Sequence, residues 1–303
     1  MLLLSAPAPV LLLGPGKVRG RKPSPACPPI PLRRPIRVFS SGNGTQSVAV
    51  MVLQALDKLP VPYDIFAFAN VGADSENPAT LEYTEKYIKP FLADHGIAFW
   101  EMQKKYKKQV DTLVQALYRD TRSIIIPARM SGSGALGNRN CTDDYKIEVI
   151  DRAIRSLKYI HAVVGLGIST DEITRVKDTE WHEFYGKQKI GFVKKREYPL
   201  IDLRMNRAAC KEIITSVGLP LPPKSSCYFC PFHKRAEWIE MKRETPDLFQ
   251  KAVDVERQIN KKRVDDGLFL HPDLVPLDQA VGAQPRLIPD EIDDVCDTGY
   301  CMT

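Results

Sequence analysis

The sequence predicts an α/β fold on a parallel sheet, followed by a helical region that carries a cysteine motif. Three observations predict it. Short apolar, β-branched runs alternate with segments apolar at helical spacing from Ile36 to Leu166, the pattern of strand–helix–strand units. The first run leads directly into a Gly-rich turn and then a helix, Ser40-Ser-Gly-Asn-Gly-Thr-Gln-Ser47 followed by Val48–Leu59. The alternation ends near Arg204, and beyond it the apolar spacing is helical around a Cys-x-x-Cys.

In chain order, Ile36–Phe39 is the first strand, and Val48–Leu59 is a helix rich in good helix formers such as Met51, Leu53 and Ala55. Tyr63–Asn70 is a buried strand, and Pro78–His95 a helix with proline suited to its first turn. Ile97–Met102 is a third strand, Lys107–Arg119 a helix and Ile124–Pro127 strand-like. A helix over Tyr145–Leu157 and a strand over His161–Leu166 complete the alternation. After it come a helix over Arg207–Val217, a Pro-rich break at Gly218–Lys224, and helices over Arg235–Arg243 and Asp247–Arg263. The predicted organisation is a disordered tail over 1–34, a nucleotide-binding α/β domain over 35–204 and a helical region with the cysteine motif over 205–303.

Composition narrows the class. Hydrophobic residues are 44% and charged residues 26% of the 303, which is ordinary for a globular chain. The net charge of +6 comes from the tail, whose six basic residues have no acidic counterpart; the remainder carries 37 basic and 37 acidic residues. Bulk charge therefore gives no support for nucleic-acid binding, and the clusters Lys104–Lys108 and Lys194–Arg196 are expected on solvated helix faces. Eight prolines in the first 34 residues preclude a packed core there. The two apolar runs before Leu13 lack a basic n-region, and no stretch is long enough to cross a bilayer. A cytoplasmic location with no membrane partner is the expectation. Seven cysteines without a secretion signal suggest metal or redox chemistry rather than a disulfide framework.

The loop from Ser40 to Ser47 has the makings of an anion site. Gly42 and Gly44 let a ligand approach the main chain, and the next helix presents its N–H groups and positive dipole end. Thr45 and Ser47 add hydroxyl donors. The loop is not G-x-x-x-x-G-K-[ST], which removes the common P-loop NTPases.

Gly42–Ser47 resembles the S-G-G-x-D-S pyrophosphate loop of the adenine nucleotide α-hydrolase (ATP pyrophosphatase) superfamily, with Gly42, Asn43 and Gln46 departing from that pattern. Asn140-Cys141-Thr142 with Lys146, Gly165 to Glu172, and Glu197-Tyr-Pro-Leu200 are similar, in the same order, to segments of phosphoadenosine phosphosulfate (PAPS) reductases. The G-x-G-T-Q-S loop, Ser226-Cys-Tyr-Phe-Cys-Pro-Phe-His233 and the terminal Cys-Asp-Thr-Gly-Tyr-Cys resemble the PAPS-reductase-like proteins of actinobacteria and their phages. The resemblance implies a Rossmann-like domain and nucleotide binding at Ser40, Ser41, Gly42, Asn43, Gly44, Thr45, Gln46, Ser47 and Gly165. It implies ATP or PAPS as the nucleotide, with Mg²⁺ less expected because Gln46 replaces the acidic residue.

Cys227 and Cys230 are spaced to chelate one metal, with His233 three residues on and Cys141 upstream. Two fillings fit the set: a [4Fe–4S] cluster on Cys141, Cys227 and Cys230, or a closed zinc site that adds His233. Cys27 and Cys210 are expected to do no chemistry. Cys296 and Cys301 are candidates for a terminal nucleophile by analogy with PAPS reductases, and Asp171 for a catalytic or Mg²⁺-binding carboxylate. Three activities compete. The first is ATP-dependent sulfur transfer by adenylation, with a sulfur donor and, by analogy alone, a tRNA or DNA acceptor. The second is thiol-dependent reduction of PAPS or adenylyl sulfate with a thioredoxin-like reductant. The third is nucleotide and zinc binding without turnover.

Overall fold

The computed structural model describes residues 34–157, 161–185, 191–263 and 267–281. Its centre is a six-stranded sheet in the order β3-β2-β1-β7-β9-β8. Those strands are β1 (Ile36–Ser41), β2 (Ile65–Ala69), β3 (Phe99–Met102), β7 (His161–Leu166), β8 (His182–Tyr185) and β9 (Gly191–Glu197). The first five in spatial order run parallel, and β8 closes one edge antiparallel to β9. This is the predicted α/β class with a Rossmann-like parallel sheet. Parallel strands covered on both faces read as unbroken apolar runs, and Ile65-Phe-Ala-Phe-Ala69 is buried at every position.

Two helical layers cover the sheet. On one face Phe39 and Phe66 pack against α1 (Thr45–Ala55), the helix spanning 78–94 (α2), and the later helix Arg207–Ser216. On the other face Val38, Ala67 and Val164 pack against Ile150 and Ile154 of a helix spanning 140–156. Arg207–Ser216 docks on α1 through Cys210 and Ile214, so the layer continues past Arg204. Burial pushes the Cys210 thiol up to about 12, which leaves it inert.

A second core lies beside the sheet. It joins Leu113 and Leu117, Tyr145, Cys227–Phe229, Trp238 and the apolar face of Pro246–Lys262. Segments before and after the middle of the sheet thus share one cluster. The helices Arg235–Glu244 and Pro246–Lys262 in it lie within two residues of their predicted bounds.

Several local expectations are corrected. The first helix starts at Thr45, inside the loop, and stops at Ala55 because Asp57 turns left-handed (φ 55) and Lys58 N closes on Leu53 O at 2.8 Å. The helix expected over Lys107–Arg119 is a hairpin, β4 (Lys105–Tyr106) with β5 (Gln109–Val110), followed by α3 (Leu113–Tyr118). Lys107 and Lys108 take positive φ at the hairpin tip, and Thr112 with Gln115 forms the capping box that starts α3. Ile124–Pro127 is not a strand; the short β6 (Arg129–Met130) beyond it pairs with β10 (Leu268–Phe269). Lys194–Arg196 lies in β9 rather than on a helix, and Lys194 is buried against Asp151. No helix among the described residues is long and apolar enough to cross a membrane.

Candidate functional site

The strand order places β1 between β2, which continues toward one edge, and β7, which starts the other half. Chain segments leaving the C-terminal ends of two such strands diverge and leave a crevice at the switch point. The loop Gly42–Gly44 leaves β1 there, and Gly167–Glu172 leaves β7. Between them is a small cleft open to solvent and lined by Ser40, Gly44, Gln46, Gly167, Glu172 and Arg175.

The loop is built to hold its backbone in one shape. Asn43 sits at φ 58, a left-handed conformation that asparagine tolerates better than most residues and glycine best. Its side chain is tied on both ends. Ser41 Oγ donates to Asn43 Oδ1 at 2.6 Å, and Asn43 Nδ2 donates to Thr84 Oγ1 at 2.9 Å. Gly42 N donates to Ser47 Oγ at 3.2 Å. Gly44 then opens α1 with no side-chain cap and no acidic residue in the first turn. Among the described residues the N–H groups of Thr45, Gln46 and Ser47 have no protein acceptor. Such donors at a positive dipole end favour an anion.

Glycine at position 44 has a second cause. A Cβ there would lie 2.8 Å from Ser225 Oγ, so a segment from the C-terminal region crosses directly over the loop. Gly167 makes the matching approach from β7, where a Cβ would meet Ser47 N at 3.3 Å. Gly165, by contrast, lies within β7, and its missing side chain is replaced by the Tyr63 ring, 2.3–2.5 Å from where a Cβ would be. Its glycine is explained by packing rather than by the cleft.

The cleft carries one buried ion pair. Glu172 and Arg175 pair at one end of the 3₁₀ turn Thr170–Arg175, each 3% exposed in its side chain. Gln46 Nε2 donates to the same carboxylate at 3.1 Å. A carboxylate thus faces Gln46 from across the cleft, already matched by a guanidinium. Asp171 points elsewhere: it is exposed and accepts from the backbone N of Arg207 and from Ser169 Oγ, at the start of the helix that follows.

The cysteine turn adjoins this cleft. Tyr83 Oη donates to Pro220 O at 2.6 Å, Asn77 N to Ser226 O at 3.2 Å, and Glu76 bridges Cys227 in antiparallel fashion. Cys227 N-terminal to a tight turn is followed by Cys230 N donating to Cys227 O at 3.0 Å. Cys141 begins the helix spanning 140–156, its N–H on Ile125 O at 2.9 Å. Cys141 and Cys230 are half-buried against the core cluster that contains Cys227. The predicted cysteines thus converge on one region.

His233 is tied into the protein at both ring nitrogens. Its Nε2 is 3.0 Å from Cys227 O and its Nδ1 is 3.3 Å from Glu237 Oε2, so both nitrogens are turned to acceptors within the protein. It clamps the turn to the helix Arg235–Glu244. Among the described residues no three His, Cys, Asp or Glu side chains are set to hold a metal ion. No step below is routed through zinc, a cluster or Mg²⁺.

Burial pushes the Glu237 carboxyl up, but the His233 hydrogen bond and the Lys224 ammonium at 2.6 Å outweigh it and bring it down to about 2. A depressed carboxylate contributes stability above its unfolded pKa of roughly 4.3 and loses it as pH falls toward the folded value. The stability difference between the parent and Glu237→Gln is expected to shrink steadily from pH 5 to pH 2 in denaturant titrations. A constant difference would contradict the clamp.

Cys27, Cys296 and Cys301 lie outside the described residues. Comparison with protein-family models and with curated proteins finds no match. Sequence reasoning missed Ser225, Gly167 and Arg175 as cleft residues. Arg175 was signalled by standing three residues after Glu172, the spacing of a helical ion pair, and Ser225 by no local pattern.

Proposed function

We propose that the cleft between β1 and β7 holds the phosphates of an adenine nucleotide and that the chain uses ATP to activate a substrate oxygen for sulfur transfer. The observation that carries the proposal is the close approach of Ser225 to Gly44, which sets the chain leading to Cys227, two residues on, beside the loop that would hold the phosphates. The unmatched N–H groups opening α1 suit pyrophosphate, and Arg175 adds a cation within reach of the same cleft. In the reaction the substrate oxygen attacks the α-phosphorus and pyrophosphate leaves along the loop. A persulfide donor then attacks the adenylated carbon, AMP departs, and a second thiol cleaves the S–S bond to release the thiolated product as a disulfide forms. The adenine itself rests on the resemblance of the loop to ATP pyrophosphatases.

The test is turnover with a sulfur donor. Full-length protein incubated with ATP and a persulfide source is expected to release pyrophosphate in an acceptor-dependent manner, and Gly44→Val, which drives a side chain into Ser225, is expected to lower that rate more than a hundredfold, on the scale of a misplaced reacting group. Sulfite release from PAPS with thioredoxin, and no pyrophosphate from ATP, would replace this activity by the reductase.

A further inference from the structure

The first turns of α2 hold two segments at once. Toward the C-terminal region they bind three carbonyls of the irregular chain 220–226. Tyr83 Oη donates to Pro220 O at 2.6 Å, Thr80 Oγ1 to Lys224 O at 3.5 Å, and Asn77 N, at the cap, to Ser226 O at 3.2 Å. A stretch outside sheet and helix needs such donors, because its main-chain carbonyls must be met somewhere. The stretch runs directly into Cys227, and its Ser225 closes on Gly44.

Toward the phosphate loop the same turns offer one hydroxyl. Thr84, where the π turn Thr84–Ile88 begins, donates its proton to Thr80 O at 2.8 Å and so meets Asn43 Nδ2 as an acceptor. That direction fixes the Asn43 amide. Its Oδ1 is left to accept from Ser41 Oγ, which in turn accepts from Asn43 N at 3.0 Å. Ser41, Asn43, Thr80 and Thr84 are all buried, so little water competes for these bonds. They hold Asn43 at a positive φ that glycine would reach unaided.

We infer that Thr84 is a positioning residue that ties the shape of the phosphate loop to the seat of the cysteine segment, so that an anion in the loop restricts access to Cys227. The inference rests on the phosphate reading above and adds to it a coupling between the loop and the cysteines. The link is short: one hydroxyl, one helical turn and the Lys224 carbonyl, beside the direct approach of Ser225 to Gly44. An anion bound to the loop stabilises the closed arrangement, and the local openings that expose buried Cys227 become rarer.

The test uses full-length protein and inorganic pyrophosphate, with affinity from calorimetry and iodoacetamide alkylation read at the Cys227–Cys230 peptide by mass spectrometry. Saturating pyrophosphate is expected to slow alkylation of Cys227 severalfold in the parent. Thr84→Val keeps the side-chain shape and removes the acceptor. It is expected to bind pyrophosphate about tenfold more weakly, the scale of one buried hydrogen bond, and to lose the protection at matched occupancy. Thr84→Ser should restore both. Asn43→Gly keeps the left-handed turn and leaves no amide unmet, so it should stay folded and show the same two losses. No saturable pyrophosphate binding by the parent overturns the phosphate reading and this inference with it. Binding that leaves Cys227 equally reactive, or that Thr84→Val and Asn43→Gly both leave at the parent's strength, overturns this inference alone.

Discussion

Arg175→Ala is expected to lose about 3–5 kcal/mol of folding stability and to lose measurable nucleotide binding. The two effects have one origin. Arg175 is 6% exposed and Glu172 3%, so removing the guanidinium takes away the charge paired with a buried carboxylate in the wall of the cleft. Gln46 donates one hydrogen bond to that carboxylate but brings no charge. The buried anion would then oppose any phosphate at the N-terminus of α1. Urea unfolding gives the first quantity and equilibrium titration with ATP the second. Adding Glu172→Gln to Arg175→Ala should recover most of the stability, because an amide needs no counter-charge, while binding stays weak because the cation is gone. Full recovery of binding in the double variant would show that Arg175 serves only to neutralise Glu172.

What was legible in the sequence follows from how local each cause is. β1, β2 and β7 were found because a strand buried on both faces is apolar at every position, as Ile65-Phe-Ala-Phe-Ala69 is. β8 and β9 were missed for the opposite reason. They lie toward one edge of the sheet, and Phe-Val-Lys-Lys-Arg-Glu197 reads as a charged surface until Asp151 is seen beneath Lys194. The hairpin at Lys107 was missed because lysine carries no turn signal, although the Thr112–Gln115 capping box marked the true helix start. At the site, the loop was legible because glycine spacing and an apolar helix are local facts. The crossing of Ser225 over Gly44 and the approach of Glu172 to Gln46 are tertiary contacts across 181 and 126 residues. The contacts of His233 with Glu237 and with the Cys227 carbonyl are likewise tertiary and leave no mark in its spacing from Cys230.

The largest single loss outside the cleft is expected from Lys194→Met. Lys194 Nζ lies 3.1 and 2.8 Å from the two oxygens of Asp151, and both residues are 6% exposed. Burial raises the Asp151 carboxyl even with Lys194 opposing it, so the carboxylate is kept charged chiefly by that one ammonium. Without it the charge is stranded between β9 and the helix spanning 140–156, at a cost of about 3–5 kcal/mol near neutral pH. The sign of the pH dependence is fixed by that rise. A carboxyl raised in the folded state holds its proton more tightly there, so the variant keeps its stability below the unfolded pKa and loses it as pH climbs through the folded one. The gap between parent and Lys194→Met should therefore widen from pH 4 to pH 8, the reverse of the trend expected at Glu237. Adding Asp151→Leu should close it, since an apolar pair of similar volume is often as stable as a buried ion pair. Asp151 and Cys141 belong to one continuous helix, and β9 leads directly into Tyr198-Pro-Leu200 beneath α1. The ion pair thus fixes the helix that carries Cys141 against the same sheet that carries the Ser40–Ser47 loop. If thiol labelling of Cys141 speeds up in folded Lys194→Met, the pair positions the cysteine as well as holding the fold.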